Sequence, residues 1–282
     1  MKTAGKKKDT TTKTIKPTPQ IKGDFCTQIN ETMSGDAVYL HENDTVTHAR
    51  QLMRDHFLRG IPVVNDTGKV SGMITDQDIL KVASTKSNVT VAGFVNPVPQ
   101  ITPETDIYKA ASLLLEAKLE RCPVVKSSIE QKLAGIVSNT DLLGKMVNRD
   151  LSKPVREIMT SPPTTCTPTD NIREIWSAML ENDYTGLPVV SKKGKLMGMV
   201  TRRDLIKSGF ARIGVREKDG STHNQPVEKV MSTPAYSIKP DTSVKECTEK
   251  ILHYDIGRLT VAVEDKPVGI VDRSDLLRAY TE

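Results

Sequence analysis

The sequence predicts an α/β protein assembled from four tandem units, each running strand, helix, strand, strand, helix. Two periodicities predict it. Gly72, Gly135, Gly198 and Gly269 are spaced 63, 63 and 71 residues apart, and Asp78, Asp141, Asp204 and Asp275 repeat those intervals, a phase agreement that marks a duplicated structural unit. Between these landmarks, helical +3, +4 apolar spacing alternates with short β-branched runs. The units are expected at residues 23–86, 87–149, 150–210 and 211–282, behind a tail at 1–22.

Each unit opens on a lead segment carrying Met33, Phe94, Met159 or Met231, with Pro97, Pro162 and Pro234 three residues later in the last three. An amphipathic helix follows, with apolar sets Val46/Ala49/Met53, Ile107/Ala110/Leu114, Ile172/Ile175/Met179 and Val244/Cys247/Ile251 on one face. Asp44 or Thr45, Thr105 or Asp106, Asp170 or Asn171, and Thr242 or Ser243 are the natural N-caps, because a short side-chain oxygen can accept from the first free amides. A β-branched run such as Ile61-Pro62-Val63-Val64 gives the next strand, Gly68 or Gly194 the turn, and Met73-Ile74 the strand after it. A hydroxyl or an acid then starts the second helix. Units of about 60 residues bury little surface alone, so they should pair. The longer stretch at Ser208–Gln225, with Arg212, Arg216 and Lys218, reads as a linker between two pairs.

Charge is unevenly placed. Residues 1–22 hold seven lysines and one aspartate, so of the formal net charge of +5 the remaining residues carry −1. The folded part is close to neutral. The tail reads as disordered, and its lysines, with no aromatics between them, suit at most non-specific attraction to nucleic acid or an acidic partner. No apolar run approaches the roughly 18–20 residues that span a bilayer, and the N-terminus lacks the apolar stretch of a secretory signal. Cys26, Cys122, Cys166 and Cys247 form no close pair, which argues against a disulfide framework and suits the cytoplasm.

Thr75-x-x-Asp78, Ser138-x-x-Asp141 and Thr201-x-x-Asp204 have the form of a helix capping box. The same helix start can also serve as an anion site, with the hydroxyl toward a phosphate and the carboxylate accepting from two vicinal sugar hydroxyls. Recurrence in phase favours ligand contact. The fourth unit departs, with Asp272-x-x-Asp275 and with Thr260 where the others have Pro62, Pro123 and Pro188. Capping survives that change, but a second carboxylate repels a phosphate, so fewer than four ligands per chain are expected. Arg59, Arg121 and Arg258 precede the first strand of units 1, 2 and 4, whereas unit 3 has Tyr184-Thr185-Gly186 there. These arginines are candidate phosphate partners or ordinary surface ion pairs; Arg202, Arg203 and Arg273, inside the turn motifs, are weaker candidates.

The order of lead, helix, Gly-Ile-Pro-Val-Val, turn and Gly-x-x-Thr-x-x-Asp resembles the cystathionine-β-synthase (CBS) domain, four times over. Two such domains form a Bateman module, so the chain resembles two modules, as in the gamma regulatory subunit of AMP-activated kinase and in archaeal stand-alone CBS proteins. The resemblance implies that the recurring aspartates hold a ribose. It also implies arginines reaching across each pair, matching Arg121 with Asp78 and Arg258 with Asp204; by the same logic Arg59 could serve Asp141, leaving Asp275 without a cation. The adenine slot it implies lies between the lead segment and the first strand. Ala37 and Val38, Val98 and Pro99, Pro163 and Thr164, or Ala235 and Tyr236 would form one side, with Ile61 and Pro62, Cys122, Leu187 or Leu259 opposite. Tyr236 is expected to be a buried structural tyrosine, with stacking on a base as the other reading.

No catalytic constellation is present. His41, His48, His56, His223 and His253 have no metal-ligand spacing, and there is no phosphate-binding loop, nucleophile elbow or dinucleotide fingerprint. The expectation is a non-enzymatic, metal-free regulatory protein that binds AMP, ADP or ATP and passes the signal to a partner protein. S-adenosylmethionine is the competing ligand, and a nucleic-acid-binding regulator or scaffold using the tail is the competing class. Two modules could pack within one chain or across a homodimer.

Overall fold

The computed structural model describes residues 27–80, 88–208 and 225–282. The tail, Cys26, His223 and the linker residues Arg212, Arg216 and Lys218 lie outside the described residues.

The first repeat consists of β1 (Leu40–His41), α1 (Val46–Asp55), β2 (Gly60–Val64), β3 (Val70–Thr75) and α2 (Asp76–Leu80). The second has α3 (Ile107–Glu116), β4 (Arg121–Val125), β5 (Leu133–Ser138) and α4 (Asn139–Met146). The third has α5 (Ile172–Glu181), β6 (Gly186–Val190), β7 (Leu196–Thr201) and α6 (Arg202–Lys207). The fourth has β8 (Ser237–Ile238), α7 (Val244–His253), β9 (Arg258–Val263), β10 (Lys266–Asp272) and α8 (Arg273–Thr281). In each repeat the last two strands pair antiparallel, and β1 and β8 add in parallel to β2 and β9. In repeats 2 and 3 that lead strand shrinks to one parallel bridge, Ile101 with Val124 and Cys166 with Val189.

Local chemistry accounts for the first helices. Thr45, Asp106, Asn171 and Ser243 are the N-caps, each accepting from a backbone N–H two or three residues on. The buried faces are those of the apolar periodicity. Each helix stops where one residue turns left-handed, at Phe57, Lys118, Asp183 and Asp255, with φ of 54°, 54°, 55° and 46°. No glycine marks these stops, so the sequence does not announce them.

The lead segments are exchanged within each pair. The amide of Ile29 donates to the Thr105 carbonyl, and Ser34 exchanges two hydrogen bonds with Ile136 of β5 at 2.9 and 2.8 Å. Reciprocally, Val46 donates to Val89 and Asn96 exchanges two bonds with Met73 of β3. Thr160 with Ile270, and Ser232 with Met199, repeat the pattern in the second pair. The recurring glycines have their reason here. A Cβ on Gly72, Gly135 or Gly198 would strike the backbone carbonyl of Asn96, Ser34 or Ser232, and one on Gly269 would strike the Met159 side chain. The exchanged segment can cross the strand only where no side chain stands.

The two modules pack against each other asymmetrically within the one chain. Repeats 2 and 4 share a single apolar core in which Leu114, Leu142, Leu143, Ile251, Leu276 and Leu277 are fully buried together. Repeats 1 and 3 keep separate cores. They meet through polar groups such as Gln77, whose amide donates to Asp183 at 2.5 Å. No helix among the described residues is long and apolar enough to cross a membrane.

Candidate functional site

The second helices begin with the cap residue bonded to the aspartate three positions on, reciprocally in repeats 2, 3 and 4. The Thr75 hydroxyl and amide donate to Asp78 Oδ2 at 2.5 and 3.0 Å, those of Ser138 to Asp141 at 2.7 and 2.8 Å, and those of Thr201 to Asp204 at 2.6 and 2.9 Å. In return the amides of Asp141 and Asp204 donate to the Ser138 and Thr201 hydroxyls. One carboxylate oxygen of each aspartate is thus committed to the helix start. Asp204 Oδ1 carries no hydrogen bond among the described residues. Asp78 is drawn further inward, because Asn96 on the exchanged lead segment donates to its Oδ2 at 2.7 Å. Nothing local in the sequence points to Asn96, since the segment that carries it folds onto the neighbouring repeat.

The fourth cap differs as its residues require. Asp272 accepts from the amides of Ser274 and Asp275, and Asp275 accepts from the Asp272 amide. Burial, and then the Asp272 charge, push the Asp275 carboxyl up to about 6. The native pair therefore keeps a proton that the unfolded chain has released between about pH 4 and 6, so stability falls as pH rises through that window. Asp272→Thr, which installs the hydroxyl found at positions 75 and 201, is expected to stabilise the chain at pH 7 by about 1 kcal/mol after allowance for solvent screening. Thermal unfolding at pH 5 and pH 7 checks this: the gain should be present at pH 7 and shrink at pH 5.

Strand register corrects the arginine reading. Arg121 lies opposite Ser138 and Arg258 opposite Asp272, whereas Gly60 and Gly186 hold the corresponding places opposite Thr75 and Thr201. Arg59 falls one residue earlier, level with Glu120. Its guanidinium is held by Glu120 at 2.5 Å and Asp76 at 3.5 Å, so it does not serve Asp141. Arg121 does face the first repeat's helix start. It shares a cavity with Thr75; burial lowers its pKa, against attraction from Glu120 and Asp141. Arg258 does reach across its pair: its side chain lies over Gly186, where any Cβ would meet the guanidinium.

Two cavities open where the four repeats meet. One, of about 550 Å³, includes Arg59, Thr75, Asp76, Arg121, Asp183 and Arg202 in its lining. Asp76 and Arg202 occupy the same position in repeats 1 and 3, and both are buried. Arg202 donates to the Met179 carbonyl at 2.7 Å and to Asp183 at 3.0 Å. Burial raises the Asp76 pKa, and Arg59 and Arg202 oppose the rise. The other cavity, of about 450 Å³, brings together Thr201, Asp204, Ala235, Tyr236 and Arg258. The Arg258 guanidinium makes no hydrogen bond or ion pair among the described residues, and burial pushes it down to about 10, with Asp272 the strongest opposing charge.

The remaining slot residues line neither cavity. Ile61, Cys122, Leu187 and Leu259 are buried core residues, and Pro62 is buried in the strand beside Ile61. Ala37, Val38, Pro99 and Pro163 are half-buried. Val98 packs against the shared core, and Thr164 donates to the Tyr184 hydroxyl at 3.1 Å. Tyr236 is 47% exposed and stacks on Tyr254 with ring centroids 4.3 Å apart, which corrects the expectation of a buried tyrosine. Burial pushes the thiols of Cys122, Cys166 and Cys247 up to about 12, so they are packing groups and not nucleophiles at neutral pH.

Paired α/β repeats that exchange their lead segments around shared clefts define a class of repeat proteins. The CBS domain model matches residues 27–85, 91–148, 155–210 and 227–282, and the chain belongs to the CBS-domain family. A 33.4 kDa protein in a ribosomal RNA operon of Thermofilum pendens is 27% identical over 243 residues, covering 78% of this chain and 80% of that protein. Protein MJ1225 of Methanocaldococcus jannaschii is 25% identical over 272 residues, 86% of this chain and 95% of its own. The crystal structure of MJ1225, described as a proposed archaeal homologue of g-AMPK, matches with a TM-score of 0.76 at 24% identity over 90% of this chain and all of that one. A Pyrococcus horikoshii protein matches at 0.65, also at 24% identity and over 90% of this chain. These likenesses show the shared fold.

Proposed function

We propose that this chain is a non-enzymatic sensor of adenosine-derived ligands, with its principal site in the cleft of the third repeat. The cavity shared by Asp204, Thr201 and Arg258 carries the reading. The uncommitted oxygen of Asp204 suits two vicinal ribose hydroxyls, Ala235 and Tyr236 offer a purine an apolar edge, and Arg258 is a cation awaiting an anion. That last feature favours AMP, ADP or ATP over S-adenosylmethionine, which has no phosphate.

A ligand in this cleft touches the third repeat and the lead segment and strand of the fourth. It therefore stabilises the relative arrangement that fits it best and shifts the population toward that arrangement. The signal passes to a partner protein, in keeping with a cytoplasmic regulator. The clefts of repeats 2 and 4 lack an arginine from across the pair, because Gly60 and Gly186 stand there, so fewer than four nucleotides bind per chain.

Calorimetric titration with AMP, ADP, ATP and S-adenosylmethionine tests this. The expected result is saturable binding of the phosphate-bearing compounds, fewer than four per chain and unaffected by deleting residues 1–22. Uptake of S-adenosylmethionine alone, or binding of nucleic acid alone and only with the tail present, would overturn it.

A further inference from the structure

The residue that ends the first helix of each repeat sits in the left-handed region, and its side chain is used differently from repeat to repeat. Asp183 receives Arg202 at 3.0 Å and Asp255 receives Arg273 at 3.2 Å, so each neutralises an arginine of the second helix. In repeat 1 the position is Phe57, a bulky residue in a backbone conformation that disfavours it. Its half-exposed ring lies in the lining of the third repeat's cavity, beneath two cations of α6. The Arg203 guanidinium is 5.1 Å and the Lys207 ammonium 5.7 Å from the ring centroid.

An aromatic face holds a cation in place without cancelling its charge. Neither Arg203 nor Lys207 has an ion pair among the described residues, and both line the same cavity as Arg258. Arg203, Lys207 and Arg258 thus join Arg121 in one cavity uncancelled by a bonded carboxylate, and the first two are steered by a residue from the other module.

We infer that Phe57, Arg203 and Lys207 form a polyphosphate subsite, so that the ligand of the third repeat carries two or more phosphates in series. This rests on the nucleotide reading above and extends it. A single phosphate is assigned to Arg258; a longer chain engages the cations on α6 as well. Because Phe57 belongs to repeat 1, such a ligand also couples the two modules along their polar side.

The test is titration of the full chain and of two variants with AMP, ATP and inorganic tripolyphosphate. In R203Q/K207Q the cations are removed. In F57D the ring gives way to the residue that the same backbone conformation already accepts at 183 and 255. The unsubstituted chain should bind ATP at least about tenfold more tightly than AMP. Both variants should weaken ATP about tenfold more than AMP. Equal affinity for AMP and ATP in the unsubstituted chain, or equal losses for both in R203Q/K207Q, would overturn the subsite. Tripolyphosphate separates the two readings. If it binds and is lost in R203Q/K207Q while no adenosine compound binds, the subsite stands and the nucleoside reading falls. If neither probe binds, both fall.

Discussion

Arg258→Met is expected to weaken nucleoside phosphate binding by about 100-fold and, in the unliganded chain, to raise the unfolding temperature. The two effects have one cause. The guanidinium lies over Gly186 without a hydrogen-bonded partner among the described residues, and burial pushes its pKa down to about 10. A depressed basic group is one whose charged form the fold disfavours. The penalty is therefore constant through neutral pH and is relieved only as pH rises past 10. Methionine keeps much of the unbranched stem and removes the charge, which returns about 1 kcal/mol after allowance for partial exposure. A bound phosphate would supply the missing counter-charge, and losing a charge-assisted contact of that kind costs about 2–3 kcal/mol of affinity. Calorimetry and thermal unfolding of the same preparation read both signs. Affinity within threefold of the original chain would remove Arg258 from the site, and a lowered unfolding temperature would show that the guanidinium is already compensated.

Leu276→Ala is expected to cost about 3–4 kcal/mol of stability, at the upper end for a leucine truncated in a closed core. Leu276 on α8 is fully buried in the core that repeats 2 and 4 share, so the cavity opens between modules and the surrounding helices cannot collapse into it from one side. The exchanged lead segments tie each pair together, so the damage should spread beyond repeat 4. Trp176, the single tryptophan, sits in the separate core of repeat 3 and is nearly buried there. Urea unfolding followed by its fluorescence and by far-ultraviolet circular dichroism should give midpoints that fall together. A fluorescence midpoint that stays in place while the dichroism midpoint drops would mean that the repeats unfold independently.

The arginines show where reading along the chain stops being sufficient. Arg59, Arg121 and Arg258 look equivalent because each stands just before a β-branched run. Pairing with the following strand separates them, since Arg121 and Arg258 are the first paired residues and Arg59 lies outside. A slip of one position turns a side chain toward the opposite face, and here it moves Arg59 from a phosphate candidate to the partner of Asp76 and Glu120. Asn96 was invisible for a different reason. Its contact with Asp78 exists only because the lead segment crosses to the neighbouring repeat. Phe57 gave no signal either, since its meaning depends on which repeat the first one faces.

By itself the sequence determined the repeat, the α/β class, the helix faces, the N-caps to within one residue, and the capping-box pairs such as Thr201 with Asp204. These rest on interactions within a few residues, where spacing along the chain is also spacing in space. Only the tertiary structure decided which lead segment serves which cleft, which arginine reaches a cavity, and that repeats 2 and 4 fuse their cores while 1 and 3 meet through polar groups. Those outcomes depend on strand register and on packing between distant segments, and neither is written in any local pattern of residues.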